Sequence, residues 1–88
     1  MKYRVAWTPS AQEHLASVWL SSPDRQAVTS AAAAIDADLV KDPQSQGESR
    51  SGGVRILIRR PLGVLYEVVE EDGTVYVFAA WTTERRSR

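Results

Sequence analysis

Residues 54–68 read VRILIRRPLGVLYEV, and Arg55, Arg59 and Arg60 are the densest positive charge within a patterned part of the chain. A guanidinium presents a planar fork of donors that fits phosphate or carboxylate. Three of them together could neutralise a phosphodiester or stabilise the transition state of its cleavage. Arg85, with Arg86 and Arg88, adds a basic group near the C-terminus. From Arg50 onward there are seven arginines and no lysine, set against Glu48, Glu67, Glu70, Glu71, Asp72 and Glu84.

Acid–base partners are scarcer. His14 is the single histidine, beside Glu13, and no second histidine or carboxylate stands at catalytic spacing. Tyr66 shares strand parity with Val64 and Val68, which places it in the core with one satisfied hydroxyl. The plainer roles for the arginines are a cross-strand pair of Arg55 with Glu67 and turn solubility for Arg59 and Arg60. With no cysteine and one histidine, disulfides and thiolate or His-based metal sites are not expected, and no cofactor motif is present.

An 88-residue chain has room for one domain, burying roughly 60–65% of its unfolded surface. Eleven basic and eleven acidic side chains cancel. That balance argues against nucleic-acid binding by bulk electrostatics, which needs a basic stripe. No run approaches the ~20 apolar residues of a membrane span, and MKYRVAWTPS lacks a signal-peptide core. The expectation is a cytoplasmic domain over residues 1–88, with 82–88 as a frayed tail.

Period-two alternation in KYRVAW, with Tyr3, Val5 and Trp7 on one side, predicts a first strand. Thr8-Pro9 is a helix start, and Ala11, Leu15, Val18 and Trp19 form one helical stripe. Ser22-Pro23 repeats the signal for a second helix to Lys41, with Val28, Ala31, Ala32, Ile35 and Leu39 inward and Arg25, Ser30, Asp36 and Lys41 outward. Asp42-Pro43 ends it. A polar Gly/Ser-rich loop (44–53) precedes three alternating runs at about 54–60, 62–70 and 74–81, with Asp72-Gly73 as a hairpin turn. The order β-α-α-β-β-β predicts an α+β fold, a helical hairpin on one face of a small, mainly antiparallel sheet. Alternation is read as turning Val54, Ile56 and Ile58 toward the helices and Arg55, Leu57 and Arg59 to the open face.

Trp7-Thr8-Pro9-Ser10-Ala11, the helix end at Leu39, Asp42 and Pro43, then Arg55-Ile56 and Val64-Leu65-Tyr66-Glu67-Val68 together resemble the RelE/ParE toxins of bacterial type II toxin–antitoxin systems. The resemblance covers almost the whole chain. It implies a growth-inhibiting toxin neutralised by a cognate antitoxin. RelE-like members are ribosome-dependent mRNA endonucleases (mRNA interferases) working by acid–base and electrostatic catalysis. For that chemistry the residues here would be Arg55, Arg59, Arg60 and Arg85. Arg55 matches the first arginine of the family's second strand, Leu57 falls on the next basic position, and Gly63 on the third-strand arginine. Ala80-Trp81-Thr82-Thr83 stands where a His-Arg or tyrosine is usual. ParE-like members instead inhibit DNA gyrase, and a degenerate protein-binding member is a further option. Leu57, Leu65 and Val69 are the expected antitoxin contacts on the open face.

Overall fold

The computed structural model describes residues 2–84. Strand β1 (Arg4–Trp7) leads into helices α1 (Pro9–Ser21) and α2 (Arg25–Lys41). Strands β2 (Glu48–Ser49), β3 (Val54–Arg59), β4 (Leu62–Val69) and β5 (Thr74–Thr82) follow. The sheet order is β1-β5-β4-β3-β2. β1 pairs in parallel with β5 at one edge, and the other pairs are antiparallel. The expected α+β arrangement is present, with the two helices on one face of the sheet.

Local chemistry accounts for the element ends. The Thr8 hydroxyl accepts from Ala11 N with Pro9 in the first turn, satisfying one of the amides a helix start leaves free. α2 begins later than Ser22-Pro23 predicts. Asp24 is its N-cap, accepting from Ala27 N, while Ser22 caps the end of α1. At Gly73, φ is +61°, a conformation that glycine adopts without a Cβ clash in the turn between β4 and β5.

The core lies between the helices and one face of the sheet. Ala11, Val18, Val28, Ala31, Ile35 and Leu39 meet Leu57, Leu62, Val64, Tyr66, Val75, Val77 and Ala80. The inward face expected of α2 is therefore the buried one. In α1 the stripe ends early, because Trp19 is 39% exposed.

Three sequence expectations are corrected. The face assignment of β3 is inverted: Leu57 is 2% exposed and Ile58 38%. Leu57 lies opposite Val64, so Arg55, Leu57 and Arg59 share the helix-facing side and Val54, Ile56 and Ile58 the open side. Arg55 stands opposite Tyr66, and Glu67 opposite Val54, so the pairing of Arg55 with Glu67 does not form. The 44–53 loop contains the short strand β2. Strand β5 runs through Thr82, and Thr83 N donates to Pro61 O at 2.8 Å. Arg85, Arg86 and Arg88 lie outside the described residues.

Candidate functional site: the open face of the sheet

The pairing register puts Arg55 and Arg59 on the helix side with Leu57, and Ile56, Ile58, Leu65 and Trp81 on the open face. On the helix side, Arg55 donates through Nε to Gln46 O at 2.9 Å and through Nη2 to Gly47 O at 3.4 Å. Arg59 donates through Nε to Asp38 Oδ2 at 2.9 Å, with Nη2 at 2.8 Å from the same oxygen. It also reaches Ile58 O and Gln46 Oε1. These two guanidinium groups tie the 44–47 loop and α2 to β3. Both guanidinium groups meet at Gln46, and Arg60 is exposed at the β3–β4 turn.

Tyr66 belongs to the same tie. Its buried hydroxyl sits 2.8 Å from Pro43 O and 2.8 Å from Gln46 O. Burial raises its pKa above the ordinary 10.0, opposed by the neighbouring Arg55 and Arg59. A phenol whose folded pKa is raised contributes stability that is fully present below the unfolded value and lost as pH rises through the folded one. Tyr3 is raised too, by its hydrogen bond to Glu70, but it is not buried, so in an absorbance titration of the three tyrosines only the Tyr66 step should coincide with unfolding, and Tyr66→Phe should remove that step. The same variant removes the one proton that the two loop carbonyls share and should cost about 1–3 kcal/mol in denaturant melts.

His14 is also structural: its Nδ1 accepts from Ala80 N at 3.3 Å. β1 pairs with β5 only as far as Val77, so the histidine reaches a β5 amide beyond the last β1 pair.

The open face is built from the other parity. β3 presents Val54, Ile56 and Ile58; β4 presents Gly63, Leu65, Glu67 and Val69; β5 presents Tyr76, Ala79 and Trp81. Phe78 is the extra residue of a bulge, since Leu65 pairs with Ala79 and Tyr66 with Val77. That bulge brings Ala80 inward and Trp81 outward, which strict alternation through the run would not have found. Glu48 and Arg50 rim this face beside Ile56, Ile58 and Trp81, 3.7 Å apart as a loose ion pair.

Gly63 lies at its centre. A Cβ built there would come 2.7 Å from Trp81 Cε2 and 2.8 Å from Ile58 Cδ1, inside the range of carbon–carbon contact. The indole and the isoleucine occupy the space in which a side chain at 63 would stand. The three positions that the sequence resemblance sets against basic residues are thus divided: Arg55 and Leu57 face the helices, and Gly63 faces outward beneath Trp81. Among the described residues no group of three His, Cys, Asp or Glu could hold a metal ion, and no helix is long and apolar enough to cross a membrane.

This architecture, with its edge strand parallel to β5 and the helical hairpin covering one sheet face, is the RelE/ParE fold. A chain of the toxin–antitoxin complex RelBE2 from Mycobacterium tuberculosis is similar over 96% of this chain and 95% of its own, with a TM-score of 0.75 and 18% identity. The E. coli toxin RelE, a mutant in the free state, is similar over 96% and 86%, at 0.73 and 14%. The chromosomal ParDE system of P. aeruginosa contributes a third, over 94% and 98%, at 0.63 and 20%. No protein-family model and no curated protein matches the sequence. Likeness at such identities is one of fold.

Proposed function

We propose that this protein is the toxin half of a type II toxin–antitoxin pair, acting in the cytoplasm by gripping a protein target with its open sheet face. DNA gyrase is the target offered by the ParE branch of the resemblance. The observation that carries this reading is the make-up of that face. Ile56, Ile58, Leu65 and Trp81 form an apolar centre, Glu48 and Glu67 are its acidic members, and Gly63 has no room for a cation. An apolar centre with a polar rim excludes water and packs against another protein. The apolar centre itself carries no acid or base for phosphodiester cleavage, and the ionisable groups of the face are Glu48, Arg50, Glu67 and Tyr76. The toxin assignment itself is supported by the fold, since the solved structures that share it include toxin–antitoxin complexes. A cognate antitoxin would cover the same face, with Leu65 and Val69 as contacts and Leu57 withdrawn to the core.

Ribosome-dependent mRNA cleavage is the second reading, favoured by the match to free RelE and by the exposed Arg60. It would place Arg60 with Arg55, Arg59 or Arg85 at the phosphate, and the first two would have to leave the loop and Asp38. Purified protein added to a gyrase supercoiling assay separates the readings from mRNA 5′-end mapping after induction. Inhibited supercoiling with intact mRNA supports the binding mode. Ribosome-dependent cleavage lost in Arg55→Ala would replace it with the enzymatic one.

A further inference from the structure

Strand pairing lays the open face out in rows across β3, β4 and β5. Ile58, Gly63 and Trp81 form the first, Ile56, Leu65 and Ala79 the second, and Val54, Glu67 and Tyr76 the third. Successive rows are two residues apart along the strands, so the first and third lie about 13 Å apart. The first two rows carry no charge. The third carries Glu67, exposed between Val54 and the half-buried Tyr76. The Tyr76 hydroxyl in turn donates to Asp72 Oδ2 at 3.5 Å.

Charge gives the face a direction. Glu48 has Arg50 at 3.7 Å, whereas among the described residues no lysine or arginine pairs with Glu67 or Asp72. Arg55 and Arg59 are on the helix side, held by Gln46, Gly47 and Asp38. The face is therefore apolar at the Trp81 end and acidic toward the β4–β5 turn. A field of that sign repels phosphates and favours a cationic partner. Tyr76 beside two carboxylates seats a lysine or arginine head, with cation–π attraction from the ring. The methylene stem of that side chain lies along the apolar rows. Backbone chemistry decides the shape of the occupant. A lone extended segment on a sheet face leaves its own amides and carbonyls unpaired, whereas a helix pairs them internally. Helix positions i, i+4 and i+8 rise about 6 Å per step, close to the roughly 6.6 Å between rows.

We infer that the open face receives a basic amphipathic helix of the protein target, lying along the strands. Its apolar residues at i and i+4 cover the Trp81 and Leu65 rows, and a lysine or arginine at i+8 meets Glu67 and Asp72 beside Tyr76. The inference rests on the toxin reading above and deepens it by fixing the partner's chemistry and orientation. Apolar contact supplies the affinity, and the carboxylates select the sign of the partner.

The test is fluorescence anisotropy of the full chain with two labelled, lactam-stapled helices. Both carry the same leucine stripe, flanked by lysines in one and by glutamates in the other. The lysine helix should bind at least 30-fold more tightly than the glutamate helix. Glu67→Lys and Leu65→Ala should each weaken its binding about tenfold. Glu13→Lys, the same charge change on an exposed position of α1, should weaken it less than 3-fold. Equal affinity for the two helices, or lysine-helix binding indifferent to both face variants, would overturn the inference. Binding of a labelled single-stranded RNA or duplex DNA that is lost in Leu65→Ala would also overturn it, by assigning the face to nucleic acid. Growth arrest separates the inference from the reading beneath it, and Glu67→Lys should weaken the arrest. Arrest abolished by Leu65→Glu but unchanged by folded Glu67→Lys would remove the charged contact and leave the toxin reading standing. If the wild-type chain arrests no growth, the toxin reading fails and the inference falls with it.

Discussion

Leu57→Ala is expected to lower the melting temperature by well over 10 °C, whereas Leu65→Ala, on the opposite face, is expected to shift it far less. Leu57 is 2% exposed and faces the helices beside Val64. Deleting a fully buried leucine side chain costs about 2–5 kcal/mol through lost transfer energy and the cavity left behind. In a domain of this size each kcal/mol corresponds to roughly 4–8 °C. Leu65 is half-buried on the open face opposite Ile56, where truncation opens no enclosed cavity. Thermal melts of the two variants decide the strand's facing directly. Equal shifts, or a larger one for Leu65, would mean that β3 and β4 present the other parity to the helices.

Leu65→Glu is expected to abolish growth arrest while the fold is retained. A charge placed at the centre of an apolar contact must be desolvated without a partner, which costs several kcal/mol on binding and little in the free protein. A loss of even about 3 kcal/mol is more than a hundredfold in affinity. Arg55→Ala is the matching control. Because Arg55 holds the 46–47 backbone rather than facing out, the variant should lose stability and keep whatever toxicity its folded fraction supports. Growth curves normalised to soluble protein, read beside circular dichroism, distinguish the two effects. Toxicity unaffected by Leu65→Glu and abolished by Arg55→Ala in folded protein would place the active surface around the arginines.

The helices and the succession of the main elements along the chain were legible because their signals are local. Thr8-Pro9 and the 3.6-residue spacing of Val28, Ala31, Ile35 and Leu39 each determine one element with little help from the rest of the chain. The facing of β3 was not legible. Ile56, Leu57 and Ile58 are consecutive apolar residues, and either parity can be buried. What decides it is tertiary: Leu57 fits against Val64, and Arg55 and Arg59 have acceptors in Gln46, Gly47 and Asp38 on that side. Those acceptors lie 8 to 21 residues from the arginines, and no sequence spacing announces them. The position of β1 was hidden for the same reason, since a parallel edge pair with β5 leaves no hairpin turn to read.

Candidate-site legibility follows the same division. Gly63 as the vacant arginine position is visible in the sequence. That Trp81 and Ile58 occupy its place is not, because the bulge at Phe78 sets which way Trp81 points. The open face was expected to carry arginines among its apolar residues. It carries an apolar centre instead, and that difference moves the favoured mechanism from phosphate chemistry to protein contact.

The central claim, a toxin neutralised by a partner, is tested most directly by inducible expression in a bacterial host, with and without the neighbouring open reading frame. The account predicts growth arrest on induction of this chain alone and normal growth when both are induced. Undisturbed growth with the folded chain abundant, or arrest that the neighbour does not relieve, would contradict it.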